Sequence, residues 1–515
     1  MLPEFVNCPL TDFTKEDNRK AMFAALEKVE SQFGKNYPLI IGVEEIWTDD
    51  KIQSLNPSQY DQVVGNFAKG TKAHAEKAIT VADETFKMWS RFPHEERARI
   101  LLKAGAIMKR RRLELAAWMV LEEGKNWVEA DADVAEAIDF LEFYGREMMR
   151  YGVPQPVIPY PGEENELYYL PLGVGAVIPP WNFPLAILVG MTSAALVTGN
   201  TVVLKPASAA PAIGWQFVEI MKEAGLPAGV LNWLPGPGGQ IGDTIVQHPR
   251  TRFIAFTGSM EVGLRIHELA ARKSEGQIWI KRTILEMGGK DFIIVDSSAD
   301  LDAAAEGIVT SAFGFQGQKC SACSRAILLA DVYDTVLEKV LERVRKISIG
   351  PVKDPENYLG PVIDEAAFRK ILEYIEIGKK EGKLAAGGDK GPKGGYFIQP
   401  TVIRDVSENA RIAQEEIFGP VLAVMKARDF QHAVDIANGT IYGLTGALYS
   451  RDRSHLEYGR RELHVGNLYF NRKCTGALVG VQPFGGFNMS GTDSKAGGRD
   501  YLGLFLQAKS VCERF

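Results

Sequence analysis

A thiolate is a nucleophile, and Cys320 is placed to supply one. It sits in Phe315-Gln-Gly-Gln-Lys-Cys-Ser-Ala-Cys-Ser-Arg325, among small and polar residues with Lys319 beside it. Free cysteines are more often inert packing residues. A cation next door in a polar turn favours the ionised, reactive form. Two further segments hold what carbonyl chemistry needs. Leu285-Glu-Met-Gly-Gly-Lys290 ends an apolar run on the carboxylate of Glu286, followed by two glycines. Pro179-Pro-Trp-Asn-Phe-Pro184 offers the Asn182 amide on a proline-stiffened loop. Together they could serve as nucleophile, base and oxyanion donor. Plainer readings stand beside these. Glu286 could be an ordinary turn acid, and Asn182 could satisfy only its own loop. Cys323, Cys474 and Cys512 read as packing or structural cysteines.

These groups are distant in sequence, so a fold must bring them together. From Gly173 on, short apolar runs alternate with helical segments. The runs are Gly175–Ile178, Thr201–Leu204, Val230–Leu234, Phe253–Phe256, Phe292–Val295, Ala326–Leu329 and Val421–Met425. That alternation predicts an α/β fold with a mainly parallel sheet. Upstream, helical patterns cover 71–92, 95–123 and 127–150, and 14–35 reads as a charged amphipathic N-terminal arm. The prolines of Val153–Pro161 break any helix. A polar turn then leads into Leu167-Tyr-Tyr-Leu170, so 150–172 reads as a protruding hairpin.

Composition excludes several classes. With 515 residues, 46% hydrophobic and 24% charged, the chain reads as an ordinary soluble protein. Basic and acidic side chains number 59 and 65, and the densest basic run, Lys109-Arg-Arg-Arg112, reads as a solvated helix end. Nucleic acid is therefore not an expected partner. No apolar stretch reaches about 18 residues, so no membrane span is expected. The first residues resemble neither a signal nor a transit peptide. Five cysteines in no framework point to a reducing compartment, read as cytoplasmic. Cys320-x-x-Cys323 has no second pair, so no metal site is expected.

Seven landmarks come in one order: Pro180-Trp-Asn-Phe-Pro184, Leu204-Lys-Pro-Ala207, Phe256-Thr-Gly-Ser259, Leu285-Glu-Met-Gly-Gly289, Gly317-Gln-Lys-Cys320, Glu415-Glu-Ile-Phe-Gly-Pro420 and Pro483-Phe-Gly-Gly486. In these motifs the chain resembles the aldehyde dehydrogenase superfamily over nearly its whole length. Within it, the chain looks most like the branch that oxidises L-glutamate γ-semialdehyde to glutamate. The resemblance implies a Rossmann-like cofactor domain at 37–149 and 173–286, after a helical arm at 1–36. It implies an α/β catalytic domain at 287–490 and an oligomerisation arm at 150–172 and 491–515. It also implies a homodimer or larger homo-oligomer.

The usual Gly-x-Gly-x-x-Gly dinucleotide fingerprint is absent, because Gly236-Pro-Gly-Gly-Gln-Ile-Gly242 has Ile241 at its third glycine position. Phe253–Ser259 with Gly263 reads as strand, tight turn and helix start, which suits a pyrophosphate or is simply a strand-to-helix turn. The resemblance implies NAD binding there, through Thr257, Gly258, Ser259 and Gly263. It also implies cofactor roles for Ile178, Pro179, Trp181, Gly236 and Gly288. Lys205 is implied on the adenosine ribose, and Glu416 and Phe418 at the nicotinamide ribose and ring. Ser208 stands where many NAD-preferring relatives carry an acid, which leaves room for NADP.

For the substrate, the resemblance implies that Ser321, Gly476 and Ala477 anchor the α-carboxylate. Phe183 and Phe484 would flank the aliphatic chain, and Glu136 would sit at the aldehyde site. Glu136 also reads as a solvated helix face. A dehydrogenase for another semialdehyde, a Cys-nucleophile hydrolase or acyltransferase, and a catalytically silent nucleotide-binding relative remain as alternatives.

Overall fold

The structure is a computed structural model and describes residues 3–515. Two seven-stranded sheets organise the chain. In spatial order the first holds Arg282–Glu286, Thr251–Thr257, Val174–Ile178, Thr201–Leu204, Leu231–Trp233, Leu39–Ile41 and Glu44–Ile46. The first five run parallel. Their apolar side chains are buried among helices such as Ala186–Val197 and Pro211–Ala224, as a sheet covered on both faces requires. The second sheet holds Lys383–Ala386, Thr401–Arg404, Val421–Ala427, Cys323–Leu329, Asp291–Val295, Thr445–Tyr449 and Asn467–Phe470. All its pairings are parallel except that of Lys383–Ala386.

Parallel pairing has a direct consequence for the site. Ile178, Thr257 and Glu286 all close strands of the first sheet on one edge, with Lys205 directly after its strand. In the second sheet, Gly288, Cys320 and Glu416–Phe418 all stand just before strands, at the opposite kind of edge. The chain passes from Glu286 to Asp291 with only four residues between, so these two edges adjoin.

Several elements differ from the expectations. The helix expected over 95–123 breaks at Arg111 into His94–Arg110 and Arg112–Glu122. Of the basic run there, Arg112 is not solvated: its Nε and Nη2 each lie 2.6 Å from a carboxylate oxygen of buried Asp131. The helix Glu16–Glu30 does not project; it buries Met22, Leu26 and Val29 in the first core. A three-stranded sheet of Lys35–Tyr37, Gln59–Ala68 and Lys51–Asn56 was not foreseen. The expected hairpin also resolves differently. Glu163–Pro171 pairs along its length with the C-terminal strand Leu506–Arg514, while 153–161 makes only isolated bridges. The prolines remove donors that a continuous ladder would need.

Candidate active site

Cys320 lies in a turn between the short helical segment Gly314–Gly317 and the strand Cys323–Leu329. The approach to it is strained: Phe315, Gln316 and Gly317 all have φ between 49° and 67°. For Phe and Gln this is costly and held only by surrounding structure. That support is visible. The Gln316 amide donates to the carbonyls of Gly124 (2.9 Å) and Pro361 (2.8 Å), and the Gln318 side chain accepts from Ile363 N (3.0 Å). At Gly317 a side chain would strike the Gly419 carbonyl.

The Asn182 amide donates to the Gln318 carbonyl at 3.0 Å, so the proline-flanked loop is fastened two residues before Cys320. Asn182 is buried, and one donor hydrogen remains for an oxyanion. Lys319 does not serve as the cation expected to ionise the thiol. Its ammonium lies 2.7 Å from both oxygens of Glu129. Burial pushes the Cys320 thiol up, and the carboxylates of Asp291, Glu416 and Glu286 push it further.

Glu286 closes its strand inside the loop 485–494. Its Oε1 accepts from Ser494 Oγ (2.6 Å) and Ser494 N (3.3 Å), and its Oε2 from Gly486 N (3.1 Å). Burial lifts its pKa to about 7 against the pull of those donors, near the optimum for a general base. Sequence reasoning missed Ser494, which lies 208 residues away and carries no local signal. It also missed Lys125, a fully buried ammonium 2.6 Å from buried Asp133. Lys125 Nζ lies 4.1 Å from the Phe183 ring centroid and 4.5 Å from that of Phe315. It thus braces both the oxyanion loop and the strained turn.

At the cofactor side, Thr251–Thr257, the turn at Gly258 and the helix Met260–Ala271 follow one another. Ser259 caps the helix through Val262 N at 3.4 Å, and Gly258 N donates to the Glu286 carbonyl at 3.0 Å. A side chain at Gly263 would collide with Met287. Gly236 is buried, and a Cβ there would lie 2.5 Å from Ile241. Lys205 is buried, with its pKa lowered to about 8 by that burial, and its ammonium donates to the Pro206 carbonyl at 3.2 Å. Glu416 accepts from Gly289 N through Oε1 at 3.0 Å, and a Cβ at Gly288 would fill the space its Oε2 occupies. Phe418 adopts φ +61°, and its ring meets Trp181 edge-on with centroids 5.5 Å apart. Ile178 and Pro179 lead into that loop, and Ser208 is exposed. An ammonium and a carboxylate with spare hydrogen-bonding capacity suit ribose hydroxyls, so these residues fit a dinucleotide.

At the substrate side, the loop 472–480 is tied to the nucleophile turn, because Cys474 Sγ donates to the Ser321 carbonyl at 3.4 Å. Arg472 donates to the carbonyls of Thr475 (2.9 Å) and Gly476 (3.0 Å). The N–H groups of Gly476 and Ala477 find no acceptor among the described residues. Phe484 is half-buried and pairs through its backbone with Ala496. Glu136 lies on the helix Trp127–Tyr151, and burial, reinforced by Asp133, raises its pKa to about 8. It is not a solvated face.

Comparison with known proteins gives a consistent picture. The profile of the "Aldehyde dehydrogenase family" matches residues 47–511. The chain is 61% identical, over all 515 residues of both chains, to a 1-pyrroline-5-carboxylate dehydrogenase of Geobacillus kaustophilus. A Thermus 1-pyrroline-5-carboxylate dehydrogenase solved with bound NAD is 56% identical, with all of both chains covered and a TM-score of 0.98. A Staphylococcus aureus betaine aldehyde dehydrogenase solved with NAD+ is 29% identical, with 96% of this chain and 97% of that one covered and a TM-score of 0.89.

Proposed function

The chain belongs to the aldehyde dehydrogenase family, and from that premise we propose that it oxidises L-glutamate γ-semialdehyde, the open form of 1-pyrroline-5-carboxylate, to L-glutamate with NAD. One observation carries the substrate reading. Cys474 fastens the loop bearing the unpaired Gly476 and Ala477 N–H groups to the residue after Cys320. Paired backbone donors suit a carboxylate. A substrate held there by its carboxylate would present its aldehyde end toward the Cys320 turn.

Cys320 Sγ attacks the aldehyde carbon as its proton leaves. The thiol proton passes to solvent, which leaves the Glu286 carboxylate, with a pKa about 7, free for the later water step. The oxyanion that forms is held by the free hydrogen of the Asn182 amide and the Cys320 N–H, donors each worth roughly 3–4 kcal/mol. NAD would be held by Lys205, the Gly258–Ser259 turn, Glu416 and Phe418, and when bound it takes up the hydride released by the substrate carbon. The acyl group then rests on Cys320 as a thioester. Glu286 draws a proton from water, the hydroxyl oxygen bonds the acyl carbon, and the thiolate leaves with glutamate released. Glu136 keeps its proton at neutral pH, so it lines the site without repelling an anionic substrate.

The five unpaired cysteines fit a cytoplasmic setting, and among the described residues no helix is long and apolar enough to cross a membrane. NADH absorbance with the semialdehyde, beside the same assay with propanal, tests the substrate. A plain aldehyde forgoes the hydrogen bonds of the Gly476 and Ala477 donors to a charged carboxylate, each worth about 1.5–3 kcal/mol, so propanal should lose at least about tenfold in kcat/KM, and L-glutamate should compete with the aldehyde. Equal efficiency without inhibition by glutamate would reduce the protein to a general aldehyde dehydrogenase.

A further inference from the structure

We propose that Asn7 is a positioning residue for the carboxylate end of the substrate, holding the Gly476–Ala477 loop against the helix that carries Glu136; this rests on the substrate reading above. Residues 3–12 form no regular element, yet they are bound firmly along the helix Trp127–Tyr151. Cys8 N donates to Asp139 Oδ1 at 2.7 Å, and Thr11 donates through both N and Oγ1 to Asp131 at 2.7 Å. Arg112 closes the strap from below, donating to the Pro9 carbonyl at 2.7 Å and gripping Asp131. Asp131 and Asp139 are buried, so without the strap each would lose donors that a buried carboxylate requires.

Asn7 reaches furthest. Its Nδ2 donates to Asp139 Oδ2 at 2.8 Å and to the Val479 carbonyl at 2.9 Å. One amide therefore bridges the helix, a turn after Glu136, to the anchor loop two residues beyond Ala477. The same contact is reinforced nearby. Phe5 meets Phe143 edge-on with centroids 5.2 Å apart, and Gly480, at φ +77°, lies close to both rings. Gly480 N is held by the Gly497 carbonyl at 2.9 Å. The far side of the loop is fixed by Arg472 and Cys474. Among these restraints Asn7 can be removed without touching the nucleophile turn or the two N–H donors, and it alone bridges Asp139 to Val479 by hydrogen bonds.

The experiment compares wild type, Asn7→Ala and Asn7→Ser on the semialdehyde and on propanal. Serine keeps a donor near Asp139 but is too short to bridge to Val479, which covers the case of Asn7→Ala failing to fold. The expected result is a rise of about five- to tenfold in KM for the semialdehyde and in Ki for L-glutamate, as for a lost bridging hydrogen bond. Maximal rate, KM for NAD and kcat/KM for propanal should stay within about twofold. Hydrogen exchange over 476–482 should quicken in both variants, a readout independent of turnover. Equal losses on both aldehydes, or an unchanged semialdehyde KM in a wild type that prefers it, would overturn the positioning role and leave the substrate reading intact. A wild type with no preference would overturn both.

Discussion

Burial and the surrounding carboxyl groups push the Cys320 thiol pKa up in the resting protein. The cation beside it in sequence is spent on Glu129, and the strongest charges around the thiol are carboxylates. A raised thiol pKa means a smaller thiolate fraction at any given pH. Alkylation of the resting protein by iodoacetamide should therefore be slow at pH 7 and rise about tenfold per pH unit past pH 9. A plateau below pH 8 would mean that Lys319 governs the thiol after all. Cys320→Ala should abolish turnover and leave NAD binding near normal by fluorescence; residual full activity would move suspicion to Cys323. Glu286 has the opposite role in the pH profile. Its pKa is raised to about 7 and its useful form is the anion, so kcat should fall about tenfold per unit below pH 7. Glu286→Gln keeps the shape of the side chain and one of its two oxygen acceptors but cannot take a proton. A burst of NADH followed by slow turnover is expected in stopped flow, and an unchanged steady rate would assign the water to another base.

The elements were largely legible, and the reasons are physical. Parallel strands buried on both faces read as apolar runs, so Thr201–Leu204 stands where expected and others shift by a residue or more. Leu39–Ile41, Thr401–Arg404 and Asn467–Phe470 are three or four residues long and carry little periodicity to read. Nor could local sequence reveal the turn before Cys320, since its left-handed Phe315 and Gln316 are held by Gly124, Pro361 and Lys125 from other elements. Gly317 completes that turn at φ +67° against the Gly419 carbonyl. Gly317→Ala should thus lower stability by about 1–3 kcal/mol in denaturant melts and cost activity in proportion to the disturbed turn. Wild-type melting and rate in that variant would show the turn to be slack. The strand end at Lys205 decides a second matter. Ser208 is exposed three residues on and carries no charge to repel a 2′-phosphate. Measurable turnover with NADP, below that with NAD, is expected, and Ser208→Glu should depress the NADP rate selectively. No turnover at high NADP would show that another group near Lys205 excludes the phosphate.

The whole molecule ends in a ribbon that the chain alone leaves exposed. Glu163–Pro171 and Leu506–Arg514 pair over nine residues each, and an isolated two-stranded ribbon is marginal in water. Beside it Ile158 is 90% and Phe515 81% exposed. We propose that a second copy of the chain covers this surface. The root of the ribbon is bound to the catalytic sheet edge. Arg282 donates to the carbonyls of Gly503 (3.1 Å), Leu504 (2.6 Å) and Leu506 (3.0 Å), and Arg282 begins the strand that Glu286 ends. The loop that grips Glu286, through Gly486 and Ser494, lies upstream of Leu506–Arg514 in the chain. The ribbon and the strand that Glu286 ends are therefore joined through Arg282. Light scattering at micromolar concentration should give a dimer or larger, and deletion of residues 506–515 should shift it to smaller species. In the truncated protein kcat should fall while NAD affinity, proposed to rest on Lys205 and the Gly258 turn at strands further in, changes little. A monomeric mass for the full chain would remove the interface, and a truncated monomer with undiminished kcat would separate the arm from the base.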